Sequence, residues 1–295
     1  MGIGNLTLGL VERRSLKVWR KIIQYIFCGI FTLIAWIPFL GAQTSVNYSD
    51  FSQWQTIKGK HFVVYFYNKE HAATASQVLS KAEAYYDKIA YQIGYSRYSD
   101  FWTWEDRVKV FIFPDQLSFF STTGQHLWSK GYAIRDSKLF ESRAIVTFMQ
   151  EDGFIDKLLP HEISHLIVKD FIGFDRPLPV WFDEGLAQQL ETSDSAQEQA
   201  MILLAKNNQS IPFEIFRNLD IRRETDELKV AIFYAQSRSV VEFLIKVYGQ
   251  EAFGRLCINL RDAMDFSDAV TSAYPATIDS ISNLEQKWLS YMREK

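Results

Sequence analysis

Apolar residues fall into two different rhythms along the chain. His61-Phe62-Val63-Val64-Tyr65-Phe66-Tyr67 is β-branched and aromatic and predicts a strand. Arg107-Val-Lys-Val-Phe-Ile-Phe113 alternates up to Pro114 and predicts a second; Arg143 to Phe148 predicts a third, shorter one. Between the first two, Ala75, Leu79, Ala82, Tyr86, Ile89 and Ile93 recur at helical spacing within Glu70 to Ile93, and Gly94 is the expected stop. Leu117 to Tyr132 carries Gly124, Gly131 and several hydroxyl residues, so it reads as mostly loop. After Gly153 the rhythm is helical almost throughout, with helices expected near 156–171, 181–193, 196–206, 224–248, 250–261 and 278–293. Strands first and helices later is an α+β order rather than a regular βαβ winding. No Pro/Gly/Ser-rich linker divides the chain, which implies one unit over 43–295 with two lobes split near residue 171.

The first 42 residues differ in kind. Arg13, Arg14, Lys17, Arg20 and Lys21 precede an apolar run from Ile22 to Leu40. As a helix its 19 residues would span roughly 28 Å, about a bilayer core. Pro38 and Gly41-Ala42 then resemble the end of a cleaved signal peptide, although Leu40 is large for that site; the long basic lead equally suits an uncleaved membrane anchor. Either reading puts residues 43–295 outside the cytoplasm, secreted, periplasmic or membrane-anchored, because the basic flank stays inside.

The 295-residue chain is 47% hydrophobic and 23% charged, so a sizeable core is available. Its net charge is −3, with no basic excess to drive nucleic-acid binding. Cys28 and Cys257 are the two cysteines; Cys28 lies in the apolar run, which leaves Cys257 as a buried small hydrophobe on a helix.

The chemistry sits in His161-Glu162-Ile163-Ser164-His165. Residues four apart share a helix face, so both imidazoles can point at one cation. Glu162 projects about 100° from His161, near enough to reach a water beside that cation. Pro160 fits if it stands in the first helical turn. Eighteen residues separate His165 from Glu184, which lies in Trp181-Phe-Asp-Glu184-Gly-Leu-Ala-Gln188, the start of another helix. A turn around Gly173 to Pro179 would return Glu184 to the histidines and complete a two-His, one-Glu zinc set. The competing reading makes Glu184 a carboxylate favoured by a helix N-terminus.

With these residues the sequence resembles the gluzincin metallopeptidases, most of all the peptidase MA-like domain family. The resemblance extends loosely from the His61–Tyr67 strand to the Trp288 helix. It implies a zincin-like fold, with a small mixed sheet in the N-terminal lobe over an active-site helix and a mostly helical C-terminal lobe. It implies one Zn²⁺ per chain on His161, His165 and Glu184, Glu162 as general base, and a peptide or protein substrate. Arg143–Phe148 would be the edge strand that pairs with substrate. Tyr234 would donate to the oxyanion, or else belong to a core-facing stripe with Val230 and Val241. Many gluzincins carry a carboxylate where this chain has Gln188, so Gln188 is expected to accept from His161, with Asp183 as a neighbouring alternative. No Gly-x-Met-Glu-Asn stretch precedes His161, which favours an endopeptidase. A non-catalytic binding or assembly module on the same fold is the alternative function.

His126, His61 and His71 are expected to be structural or surface residues, and Trp181 to pack the metal-bearing helices. If uncleaved, residues 22–40 would supply the membrane contact.

Overall fold

Alternating β-branched and aromatic residues build a mixed sheet whose two faces are both buried. The computed structural model describes residues 47–94, 102–125, 129–134, 139–140, 143–149, 153–173, 176, 178–189, 191 and 195–295. The basic lead, the apolar run 22–40, Ala42 and His126 lie outside the described residues.

Five strands are present among the described residues: β1 (Gln55–Lys58), β2 (Phe62–Phe66), β3 (Val108–Phe113), β4 (Gly131–Ile134) and β5 (Ala144–Phe148). Their spatial order is β1-β2-β3-β5-β4. β2, β3 and β5 run parallel, in the registers Phe62↔Val108 and Lys109↔Ala144. β1 and β4 close the two edges antiparallel, as Gln55↔Phe66 and Gly131↔Thr147. The parallel step from β2 to β3 needs a crossover, which helix α1 (Ala72–Gln92) supplies.

Side chains alternate across a strand, so Val108, Val110 and Ile112 join α1 in the main core, while Phe111 and Phe113 turn to the other face. There Trp54, Phe119 and Phe140 cover them, with the Phe51 ring tilted against Phe111 at a centroid distance of 4.6 Å. His61 is buried; its Nδ1 donates to Glu83 at 2.6 Å and its ring stacks on Tyr86, a structural role as expected.

The remaining elements are helical: α2 (Gln116–Thr123), α3 (Leu159–Ile172), α4 (Val180–Gln188), α5 (Ser195–Lys206), α6 (Phe213–Phe216), α7 (Glu227–Tyr248), α8 (Gln250–Arg261), α9 (Phe266–Ala273) and α10 (Ile281–Glu294). The main core continues from the sheet through α3 to Met292 near the C-terminus. Cys257 is fully buried on α8, and burial pushes its thiol pKa up. No helix among the described residues is long and apolar enough to cross a membrane.

Two sequence expectations are corrected. The segment from Leu117 to Tyr132 is not mostly loop. Asp115 and Ser118 form a reciprocal cap that starts α2, Gly124 at φ +68 ends it, and β4 begins at Gly131. Nor is Arg143–Phe148 the edge strand. β5 is interior, bonded to β3 on one side and β4 on the other, and the edge falls to β4.

Gly185 fixes how closely α4 lies on α7. A Cβ there would stand 2.4 Å from the Ser237 carbonyl oxygen and 2.8 Å from Val241 Cγ2. The obstacle is backbone, which cannot swing aside. Gly185→Ala is therefore expected to cost about 1–3 kcal/mol by overpacking. Thermal unfolding checks this, and an unchanged melting temperature would show that the two helices are not pressed together at this residue.

Candidate metal centre

Proline lacks an N–H, and α3 accommodates Pro160 as its second residue, where no intrahelical partner is needed. A single π turn, Phe154–Leu158, leads into the helix from Gly153 at φ +79. From there the helical period buries Ile163, Leu166 and Ile167 and leaves His161, Glu162 and His165 partly exposed. An ion pair from Arg143 to Asp170, which also accepts from Trp102 Nε1, ties the far end of α3 to the start of β5. Gly173, at φ +107, ends the helix. The chain returns through Pro179, and α4 packs against α3.

That return brings Glu184 to the histidine pair. Its Oε2 is 3.6 Å from His161 Nε2 and 3.8 Å from His165 Nε2. The two Nε2 atoms are 3.0 Å apart. Bonds of about 2.0–2.1 Å in a tetrahedral zinc site place ligand atoms roughly 3.3 Å from one another, so the donor set fits the ion in both type and spacing. The other ring nitrogens strengthen the fit. His161 Nδ1 donates to Glu191 Oε1 at 2.7 Å, and His165 Nδ1 donates to Asp183 Oδ1 at 2.9 Å. A carboxylate only accepts, so each Nδ1 carries the proton and, in the neutral ring, each Nε2 presents a lone pair. Two lone pairs and a carboxylate oxygen facing one point require a cation or a proton between them.

Without a metal the proton takes that part. Burial opposes charge on His165, but Asp183, with Glu184 and Glu162 behind it, outweighs burial and pushes its pKa up to about 9. Burial likewise opposes charge on Asp183, yet the His165 imidazolium holds its carboxyl below the usual range. For Glu184 burial wins and raises the pKa, with the imidazoles offsetting part of it.

Glu162 faces the edge strand, where its Oε2 accepts the backbone N–H of Ala133 at 2.8 Å. Tyr234, on α7, packs against the main core and is partly buried. Burial raises its pKa, and the charges of Glu184 and Glu191 raise it further, so its hydroxyl shares the field of the cluster.

The support of His161 differs from expectation. Gln188 is buried, and its Nε2 has no hydrogen-bond partner among the described residues. α4 ends at Gln188, the chain turns, and Glu191 comes round to the imidazole instead. Sequence reasoning missed Glu191; its one signal was that it is the next carboxylate after Glu184, two helical turns on. Asp183 and Glu184, though adjacent, both reach the histidines, because one imidazole offers nitrogens on opposite sides.

Trp181 packs on Phe216 of α6 and Phe266 of α9 at ring distances of 5.3 Å. It also lines a cavity of about 690 Å³ whose walls include none of the histidines or their carboxylates.

A family model described as the peptidase MA superfamily matches residues 128–294, a span that holds β4, β5, α3 to α10 and every residue of this cluster. No curated protein matches the chain.

Proposed function

Because the chain belongs to the peptidase MA superfamily, we propose that it is a zinc-dependent endopeptidase of the gluzincin kind, working outside the cytoplasm. The observation that carries this reading is the convergence of His161, His165 and Glu184, whose donor atoms all lie within 4.8 Å of one another. Two imidazole nitrogens and one carboxylate oxygen are the protein share of a catalytic zinc site that keeps a position open.

Zinc held there supplies a Lewis acid that polarises the scissile carbonyl and makes water acidic near neutral pH. Glu162 takes the proton of the attacking water and hands it to the departing amine. Tyr234 keeps its hydroxyl proton, given its raised pKa, and donates it toward the developing oxyanion. Glu191 and Asp183 hold the two imidazoles in orientation and in the correct tautomer. β4, the sheet edge beside α3, is where an extended peptide adds as a further strand.

The five-stranded sheet over α3 and the helical remainder suit a zincin-like fold, with residues 43–295 as the peptidase domain and a lobe boundary near 171. The basic lead and the run 22–40 support export, by a peptide cleaved after Ala42 or by an anchor.

The purified full-length chain is expected to hold about one zinc per molecule. It is expected to cut internal bonds in a peptide library, to stop when chelated, and to resume when zinc is returned. Zinc-loaded protein that cleaves nothing in the library would leave the non-catalytic binding module in its place.

A further inference from the structure

Antiparallel strands alternate between residues whose backbone groups face the partner and residues whose groups face away. Ala133 lies opposite Ile145 in the β4–β5 register. Its N–H turns away from β5, across the sheet edge, and meets Glu162 Oε2 at 2.8 Å. The neighbours Tyr132 and Ile134 are held in the ladder opposite Val146 and Ala144. Gly131, at the start of the strand, is locked as well: a Cβ there would meet Leu158 Cδ2 at 2.7 Å and the Val146 carbonyl oxygen at 2.9 Å. The donor is thus fixed by the sheet, while the acceptor is a side chain with three rotatable bonds.

We propose, building on the peptidase reading above, that the backbone N–H of Ala133 is a positioning group for Glu162 and selects Oε1 as the oxygen that carries the proton. A glutamate gives up rotamer freedom when it is fixed. A charge-assisted bond to a rigid amide opposes that loss before substrate arrives. A carbonyl oxygen is a better acceptor than a hydroxyl oxygen, so the N–H holds Oε2 as the carbonyl oxygen of the protonated side chain, and the proton goes to Oε1. As the water oxygen bonds to the carbonyl carbon, the carbonyl π pair moves onto its oxygen, the water O–H bond breaks and the proton moves to Oε1; the oxyanion pair re-forms the carbonyl when the amine leaves. When the C–N bond breaks, the same proton passes to the amine nitrogen. Edge strand and base then form one unit: the strand that aligns substrate also aims the carboxylate.

Two measurements on the full-length chain test this. In metal-free protein labelled with ¹⁵N-alanine, the Ala133 amide proton is expected downfield and moves upfield in E162A; a resonance that stays in place overturns the contact. In zinc-loaded protein, A133P removes the N–H at an edge position that proline tolerates. It is expected to lower kcat by about 10–100-fold, the scale of a displaced catalytic group, with KM and zinc content little changed. A133G keeps the N–H and loses far less. A133P with wild-type kcat, beside an inactive E162Q, overturns the positioning alone. Turnover that survives E162Q overturns the base assignment and this inference with it. The amide measurement needs no substitution in the strand and decides the contact even if A133P fails to fold.

Discussion

Glu162→Gln is expected to leave about one zinc per chain in place and to cut turnover by about two to four orders of magnitude. The substitution is nearly isosteric. Its carbonyl oxygen still accepts from Ala133 N–H, so the side chain keeps its place against β4. His161, His165 and Glu184 are untouched, so the donor set survives. Only the ability to take up a proton is lost. The nearby carboxylates are poor replacements, since Glu191 is bonded to His161 and Asp183 to His165. Metal analysis together with kcat at saturating peptide reads both halves. A variant that bound zinc and turned over within tenfold of wild type would place the base elsewhere.

The centre of the site was legible because its geometry is local. Two histidines one helical turn apart need only a helix to become a pair, and Pro160 announced where that helix starts. Glu184 asked for one further step, a turn at Gly173 and a return, which loop residues in the sequence supplied. The parts that were not legible depend on partners far along the chain. Gly131-Tyr-Ala-Ile134 sets two strand-favouring residues beside Gly and Ala, too short and mixed a signal to stand alone; β5 pairs with it and Thr147 Oγ1 donates to the Lys130 carbonyl. Spatial order is likewise a tertiary fact. Nothing in the residues 143–148 says that β4 comes to lie outside them, and with Leu117 to Tyr132 read as loop, the sequence offers no other strand for that edge. α2 was misread for a different reason. Hydroxyl residues suggested a loop, yet Asp115 and Ser118 cap one another and the apolar Phe119 locks into the aromatic cluster. Gln188 against Glu191 shows the limit of helical arithmetic: counting four residues from Glu184 reaches Gln188, still inside α4, but Gln188 is buried with its Nε2 unpartnered among the described residues, and Glu191, beyond the helix end, is the residue that meets His161.

Replacing Asp183 by Asn and Glu191 by Gln together is expected to weaken zinc binding by about two to four orders of magnitude at pH 9, at 10–100-fold for each lost partner. Each carboxylate serves a different imidazole, so the losses combine. The choice of pH decides what is seen. His165 holds a proton up to about pH 9, and zinc must displace it. Wild-type affinity is therefore expected to rise about tenfold per pH unit toward 9 and then to level off as far as His165 is concerned. Asp183 is the main cause of that raised pKa, so the asparagine variant also frees His165 from its proton. Near pH 7 this gain offsets part of the loss, whereas at pH 9 the orienting role stands alone. Stability of the metal-free protein follows the opposite course. A pKa raised from the ordinary 6.5 to about 9 stabilises the fold fully below about 6.5, and the contribution disappears as pH climbs through 9. Competition titrations with a zinc chelator at pH 7 and pH 9 separate the two effects, with Gln188→Ala alongside. Gln188→Ala is expected to leave the affinity where it is, because Gln188 touches neither imidazole through a hydrogen bond. If Gln188→Ala weakened zinc as much as the double variant does, the assignment of imidazole support to Glu191 and Asp183 would be wrong.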